Sequence, residues 1–393
     1  MTASEQQPET DWRVKGLLAY LGAIGWPPMH SRTVPQARHD YRIQAAATGS
    51  WESVSSVRDT LVRTDEHDIP VRVYRPEREG DSRPLLMWFH GGGFVVGDLF
   101  TADGVCRRLA NLSGATVVSV HYRRAPEHPL PAAYRDALAA TEWAVRHAHQ
   151  LGADATRLVV AGDSAGGGTA AHVAQQLRDN GPVPAALQVL FYPGIDFSMD
   201  HTDRNPALAK LLDWDTIEWF GAQSMPPEID RRSADISPHY AETMANLPPA
   251  IIVTAGVDPF RADAIAYADR LTGAGVPVTH WDFPGQIHGF VAMDRIFPAG
   301  REAVRRAARA IAAVGAVDVA VPALVAAAPP IDWSRGRAST RRRIREASQR
   351  TPHISAAQIL SVLADYRVRR LKDLLSSNKE TAVAGHQSAR STQ

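Results

Sequence analysis

The pentapeptide Gly162 to Gly166, "GDSAG", sits where the short apolar run "RLVVAG" gives way to an Ala-rich stretch of helical character. A serine at such a strand-to-helix corner can serve as a nucleophile. The turn exposes its hydroxyl, and the flanking glycines remove side chains that would collide with the strand and the helix. The first N–H groups of the helix can then meet a developing oxyanion. A Gly-rich turn with a helix-capping serine is the competing reading of Ser164 when the pentapeptide stands alone. Upstream, "FHGGGF" (Phe89 to Phe94) ends another apolar run in three glycines. Consecutive glycines let the backbone approach a substrate closely, which suits the oxygen of a tetrahedral intermediate. We assign an oxyanion hole to Gly92, Gly93 and the N–H of Ala165, with Gly91 shaping the loop. A phosphate-binding turn is the alternative, but no P-loop lysine follows and the spacing is not G-x-G-x-x-G.

A nucleophilic serine needs a base, and the base an orienting acid, here expected in the chain order serine, acid, histidine. Seven histidines follow Ser164. His280 falls inside a predicted strand, while His353 and His386 belong to the C-terminal tail. His288, in "PGQIHGF", follows that strand in a glycine-flanked loop at the carboxyl edge of the sheet, where open α/β sheets place ligand chemistry. Asp196, after "VLFYP", and Asp258, in "GVDPFRAD", compete to orient it. Asp258 lies one strand closer and is favoured, whereas Asp196 and Asp282 read as loop and strand-end residues. No metal or organic cofactor is required by this set.

The elements that must hold these residues are short β-branched runs alternating with helices. Strands are predicted at "VRVYRPE", "PLLMWF", "ATVVSVHYR", "RLVVAG", "ALQVLFYP", "PAIIVTAG" and "PVTHWDF". Helices are predicted within residues 11–45, before Gly49, at "YRDALAATEWAVRHAHQL", after Ser164 and at "RADAIAYADRLTGAG". That rhythm means an α/β fold with a mostly parallel sheet covered on both faces. Residues 198–246 break it and read as an insertion. The expected organisation is N-terminal helices over 1–45, a catalytic domain over 46–315, and a basic, partly helical extension over 316–393.

Composition is that of a globular chain: 393 residues, 45% hydrophobic and 22% charged. The single cysteine, Cys106, excludes an internal disulfide framework. The start, "MTASEQQPETDW", lacks the basic and apolar regions of a signal peptide, and no apolar run is long enough to span a bilayer. A cytoplasmic, unanchored protein is expected. The net charge of +1 conceals an asymmetry, since residues 331–393 hold thirteen Lys and Arg against five Asp and Glu, or +8, leaving −7 for residues 1–330. The tail "SRGRASTRRRIREASQR" and the helix signal at Ser355 and Gln358 admit three readings. They are a solvated appendage packing on the core or a neighbouring subunit, a basic amphipathic helix on an anionic membrane, or nucleic-acid contact. The last is not expected, because no recognised binding fold accompanies the arginines.

Taken together, "HGGGFVVGD", "YRRAPEHPLPAAYRDA", "GDSAGG", "FYPGID", "LPPAIIVTAGVDP" and "HGF" occur in an order that resembles the hormone-sensitive-lipase-like branch of the α/β-hydrolases, the bacterial family IV carboxylesterases. The resemblance covers roughly residues 80–310. It implies a triad at Ser164, Asp258 and His288, an oxyanion loop at Gly91 to Gly93, and a helical cap from residues 10–45 and the insertion. "LLDWDTIEWF" resembles the cap helix. Its Trp214, Trp219 and Phe220, with Phe94 beside the glycines, are candidates to line the substrate pocket, ordinary cap packing being the alternative. The implied activity is hydrolysis of short- to medium-chain carboxylic esters, small-molecule substrates, through an acyl-enzyme. A ligand-binding receptor on the same scaffold is the rival from another class. Amide, carbamate or acetyl-group hydrolysis is the rival within enzymes, and a homodimer stays open. The chain departs from the family where two acids usually follow the equivalent of "DPFR": here stand Ala262 and Asp263, so that Asp258 is expected to be less firmly held.

Overall fold

The computed structural model describes residues 9–77, 82–202, 204–315, 317, 328 and 330–333. Its strands are β1 (Ser56–Arg63), β2 (Asp68–Arg75), β3 (Pro84–Phe89), β4 (Thr116–Val120), β5 (Asp154–Asp163), β6 (Leu187–Phe191), β7 (Ala250–Val257) and β8 (Val278–Ile287). They form one eight-stranded sheet in the order β1-β2-β4-β3-β5-β6-β7-β8. Only β2 runs against both its neighbours; from β4 to β8 every pairing is parallel. The helices are α1 (Trp12–Ile24), α2 (Val34–Thr48), α3 (Asp103–Ser113), α4 (Ala132–Arg146), α5 (Ala148–Leu151), α6 (Ala165–Asn180), α7 (Trp214–Ser224), α8 (Arg261–Gly273) and α9 (Pro298–Ala313).

The central strands are apolar without interruption because helices cover both faces. Every residue of β3, β4, β6 and β7 is buried. The period-two alternation of a strand divides that apolar content between two cores. Leu85, Met87 and Phe89 join Val118, Val120 and Val160 on the face covered by α4, α6 and α8. Leu86 and Trp88 join Val117, Val159 and Val189 on the face covered by α3 and α9. The edge strand β8 is half-buried or exposed over most of its length and buried only at its end.

Several elements differ from the sequence expectation. β1, α3 and α9 were not predicted, although α3 and α9 each bury one apolar face, Cys106, Leu109 and Ala110 in the first and Ala303, Val304, Ala307 and Ile311 in the second. The helix expected over "YRDALAATEWAVRHAHQL" breaks at His147, whose Nδ1 turns back to the carbonyl of Trp143 at 2.8 Å. Asp282 is not a strand-end residue: it lies inside β8, where it meets Arg261 at 3.1 Å and accepts from Thr254 at 2.6 Å. Of the extension assigned to 316–393, the described residues include Ile331 and Trp333, which pack beside the α4/α6 core, and Ile331 N–H donates to Gln150 Oε1. The basic run after residue 333, with the helix signal at Ser355 and Gln358, lies outside the described residues. Among the described residues no helix is long and apolar enough to cross a membrane.

One buried carboxylate ties the antiparallel edge to the helical layer. Asp136 of α4 is 2% exposed and accepts from the N–H of Arg123 and from its Nη2, each at 2.8 Å, while His67 Nε2 lies 2.9 Å away. Removing it leaves a partly buried guanidinium without its counter-ion. Asp136→Ala should therefore destabilise the fold by about 3 kcal/mol, seen as a lower urea midpoint at unchanged m-value.

Candidate active site

Five functional segments leave the carboxyl ends of parallel strands: the triple glycine after β3, Ser164 after β5, Asp196 after β6, Asp258 after β7 and His288 after β8. Their convergence follows from parallel pairing, which puts all those ends on one edge. Ser164 is the turn between β5 and α6, with φ 56° and ψ −124°. A non-glycine residue at such a φ is strained. Its carbonyl accepts from Gly167 and Gly194, and its N–H donates to Phe191, each at 2.9 Å. The two outer glycines of the pentapeptide permit the turn. A Cβ on Gly166 would stand 2.0 Å from the carbonyl oxygen of Phe89, and one on Gly162 would stand 2.2 Å from that of Gly166.

The Ser164 hydroxyl lies 2.7 Å from His288 Nε2, and His288 Nδ1 lies 2.8 Å from Asp258 Oδ2. A carboxylate can only accept, so Nδ1 carries the proton and Nε2 is left to accept from the serine. Asp258 is fully buried, and its Oδ1 accepts from the N–H of Phe260 at 2.9 Å. Thus it is firmly held, contrary to the expectation raised by Ala262. Tyr192 and Phe260 flank the imidazole, with ring centroids at 4.9 and 5.5 Å. Such an array can pass a proton from hydroxyl to imidazole while an acyl group transfers to oxygen.

Gly92 (φ 121°) and Gly93 (φ 57°) line a cavity in front of Ser164 together with Ala165, the first residue of α6. Among the described residues none accepts the N–H of Gly92 or Gly93, and that of Ala165 has no intrahelical acceptor. Gly91 differs from the other members assigned to the hole. Its N–H is spent on Asp163 Oδ1 at 2.8 Å, so it shapes the loop and cannot donate to a substrate. Burial pushes the Asp163 carboxyl up to about 6, against the opposing effect of that N–H.

The cavity has a volume of about 370 Å³, in the range of small-molecule sites. Its walls come from α1, α2, α7 and the β6–α7 segment, and include Leu21, Phe94, Phe197, Trp214, Ile217 and Phe220. Trp219 is the exception among the candidates. It turns about 100° away from Phe220 around the helix and packs with Val95 and Val96 against α2, outside the cavity lining. Among the described residues no cluster of His, Cys, Asp and Glu is suited to a metal ion.

The model of a family described as having the alpha/beta hydrolase fold matches residues 86–292. This chain belongs to that family. An esterase, LipI, of Mycobacterium tuberculosis is 46% identical over 244 residues, covering 61% of this chain and 76% of its own. An ethyl acetate hydrolase of Pseudomonas putida is 37% identical over 279 residues, covering 68% and 86%. Among solved structures, an ester hydrolase from the metagenome of Lake Arreo, complexed with a derivative of bipyridine phosphonate, superposes with a TM-score of 0.74 at 37% identity. It covers 77% of this chain and 98% of its own. This alpha/beta hydrolase is an ester hydrolase of the hormone-sensitive-lipase-like branch.

Other residues of the hydrolase were not singled out by the sequence reading. Arg38 and Arg42, one helical turn apart on α2, clamp that helix to the loop after the glycines. Arg38 Nε donates to Val95 O at 2.8 Å and Arg42 Nε to Asp98 Oδ2 at 2.5 Å. Their i, i+4 spacing on one face was the available signal. Burial opposes ionisation of Asp98, yet Arg42 and its cationic neighbours hold it down at about 2. Asp196 is no ordinary loop residue either. Fully buried, it lies 2.9 Å from His201 Nδ1 and accepts from the Ser198 hydroxyl at 2.6 Å. Asp263 is buried with Thr202 Oγ1 donating at 2.8 Å, and burial raises its carboxyl to about 8.

Two outcomes follow for the hydrolase. Gly166→Ala should force β3 and α6 apart, giving a lower melting temperature and at least a tenfold fall in ester turnover; retention of both would contradict the close approach. Asp263 keeps its proton when folded but sheds it near pH 4 when unfolded. The native state therefore binds more protons between about pH 4 and 8, and stability falls as pH rises through that window, by up to about 1.4 kcal/mol per unit. Urea unfolding from pH 5 to 8 should show this slope, and Asp263→Asn should flatten it.

Proposed function

We propose that the chain hydrolyses short- to medium-chain carboxylic esters by two-step acyl transfer, with Ser164 as nucleophile, His288 as base and acid, and Asp258 as the orienting carboxylate. The observation that carries this reading is the unbroken run of contacts, 2.7 Å from Ser164 Oγ to His288 and 2.8 Å from His288 to Asp258. In the first step His288 Nε2 takes the hydroxyl proton as Oγ bonds to the ester carbonyl carbon. The N–H groups of Gly92, Gly93 and Ala165 hold the oxyanion. Collapse of the intermediate breaks the bond to the alcohol oxygen, which receives the proton from His288. Water then repeats the sequence on the acyl-enzyme and releases the acid.

The acyl-chain range is supported by the apolar cavity of about 370 Å³, walled by Phe197, Trp214, Ile217 and Phe220. We read α1, α2 and the 198–246 insertion as a cap, because they supply most of that wall. α1 is capped by Asp11, which accepts from Arg13 N–H, and is tied to the sheet where Asp11 N–H donates to Gly285 near the end of β8. Asp213 caps α7 in the same way, accepting from Thr216 N–H at 2.7 Å.

With p-nitrophenyl esters of graded length, kcat/KM should climb about fourfold per methylene from acetate towards hexanoate, as each CH₂ enters the apolar wall, and fall for long chains. Ser164→Ala should lower kcat at least about 10⁴-fold and abolish labelling by a fluorophosphonate. A receptor on this scaffold would leave Ser164 unlabelled in the wild type, and esterase rates surviving in Ser164→Ala would overturn the assignment.

A further inference from the structure

We propose that Arg231 anchors a carboxylate on the substrate, so that half-esters of dicarboxylic acids are preferred over neutral esters of equal length. This rests on the ester-hydrolase reading and refines it to a substrate class. Arg231 belongs to the insertion, beyond α7, and its side chain reaches the wall of the same cavity that holds Ser164 and His288. There it lies across Gly221, on the cavity side of α7. The position a Cβ would take at residue 221 is 3.5 Å from Nη2 and 3.6 Å from Nη1. The guanidinium is thus in van der Waals range of that buried position. Phe220, the preceding residue, packs on Gly93 of the oxyanion loop, so the guanidinium stands on the same wall as the carbonyl site.

The charge on this group is not balanced by the protein. The other arginines of the cavity wall have carboxylates: Arg32 pairs with Asp40 at 2.8 Å, and Arg204 with Glu218 at 3.9 Å. Arg232, the next residue, turns outward to Asp200 with two contacts of 2.8 Å. Among the described residues none gives the half-buried Arg231 guanidinium a carboxylate or carbonyl acceptor. Its backbone is held regardless, because Ser237 Oγ donates to Arg231 O at 2.6 Å and accepts from Phe197 N–H at 2.8 Å. A guanidinium kept in place beside apolar walls, with its planar fork of donors uncommitted, matches a carboxylate in charge and shape. The low polarity around it strengthens that attraction relative to water. A neutral acyl chain would leave the same donors without acceptors.

The test compares monoethyl adipate with ethyl heptanoate, extended to monoethyl succinate and monoethyl suberate to find the matching spacer. The wild type should show a higher kcat/KM for at least one half-ester than for its neutral counterpart, a preference that declines with ionic strength. In Arg231→Gln the ratio of the two kcat/KM values should fall by about 10- to 100-fold, in Arg231→Lys by less, and in Arg231→Glu the half-ester should become the poorer substrate. Equal or poorer turnover of every half-ester by the wild type overturns the proposal even if no variant folds. So does an unchanged ratio in a folded Arg231→Gln. If the wild type hydrolyses neither class and takes no fluorophosphonate label, the ester-hydrolase reading itself has failed.

Discussion

Three stretches of backbone meet at Gly162, Gly166 and Phe89 more closely than any side chain would permit. β3 and β5 pair in parallel with Phe89 opposite Gly162, and α6 begins so near that the carbonyl of Phe89 occupies the place of a Cβ on Gly166. This contact is the constraint on which the rest of the structure depends. It forces Ser164 to a φ of 56°, a conformation costing about 1–3 kcal/mol that only surrounding structure can hold. Hydrogen bonds from Gly194 and to Phe191 supply that support from β6 and the turn after it. The same contact sets the glycine loop after β3 beside the start of α6, so the Ser164 hydroxyl and the N–H groups of that loop are placed by one backbone packing event.

The remaining parts of the site depend on how far the sheet continues beyond that contact. β6, β7 and β8 add in order, and each carries its carboxyl end to the same edge. Asp258 therefore reaches His288 from the neighbouring strand, the carboxylate fully buried and the imidazole facing the cavity. Beneath the glycine loop, a buried Asp163 carboxyl receives the Gly91 N–H and keeps the loop's first residue from competing for substrate. Above it, α2 is fastened by two arginines to segments on either side of the loop. The loop is thus clamped from below by a carboxyl and from above by guanidinium groups.

Over this rigid edge the cavity wall is assembled from helices that do not belong to the sheet layers. The wall is largely apolar, which suits burial of an acyl chain, yet it admits one guanidinium at Arg231 whose charge the neighbouring residues leave uncompensated. Apolar area and a guanidinium without a carboxylate partner do different work here. The first contributes affinity in proportion to surface removed from water, and the second selects by charge.

Much of this was legible in the residues themselves. The buried strands β3 to β7 show as unbroken apolar runs, and Gly162 and Gly166 flank the serine because the turn tolerates nothing larger. His288 and Asp258 stand out by their places after strands. What escaped were β1, whose apolar content is sparse, α9, whose buried face of Ala303, Val304, Ala307, Ala308 and Ile311 is built largely of small residues among arginines, and side-chain directions that depend on packing. Trp219 and Phe220 are adjacent and equally apolar, yet only Phe220 lines the cavity, because the orientation of α7 about its axis is settled by tertiary packing and not by local pattern. Gly91 could be read from the sequence as the residue that shapes the loop, but that Asp163 takes its N–H depends on a side chain 72 residues away. The sequence by itself determined which backbone positions must be bare and which strands must be buried, since those are local steric and solvation demands. Only the tertiary structure decided which groups share a cavity and which charges lack partners, since those are properties of segments brought together from distant parts of the chain.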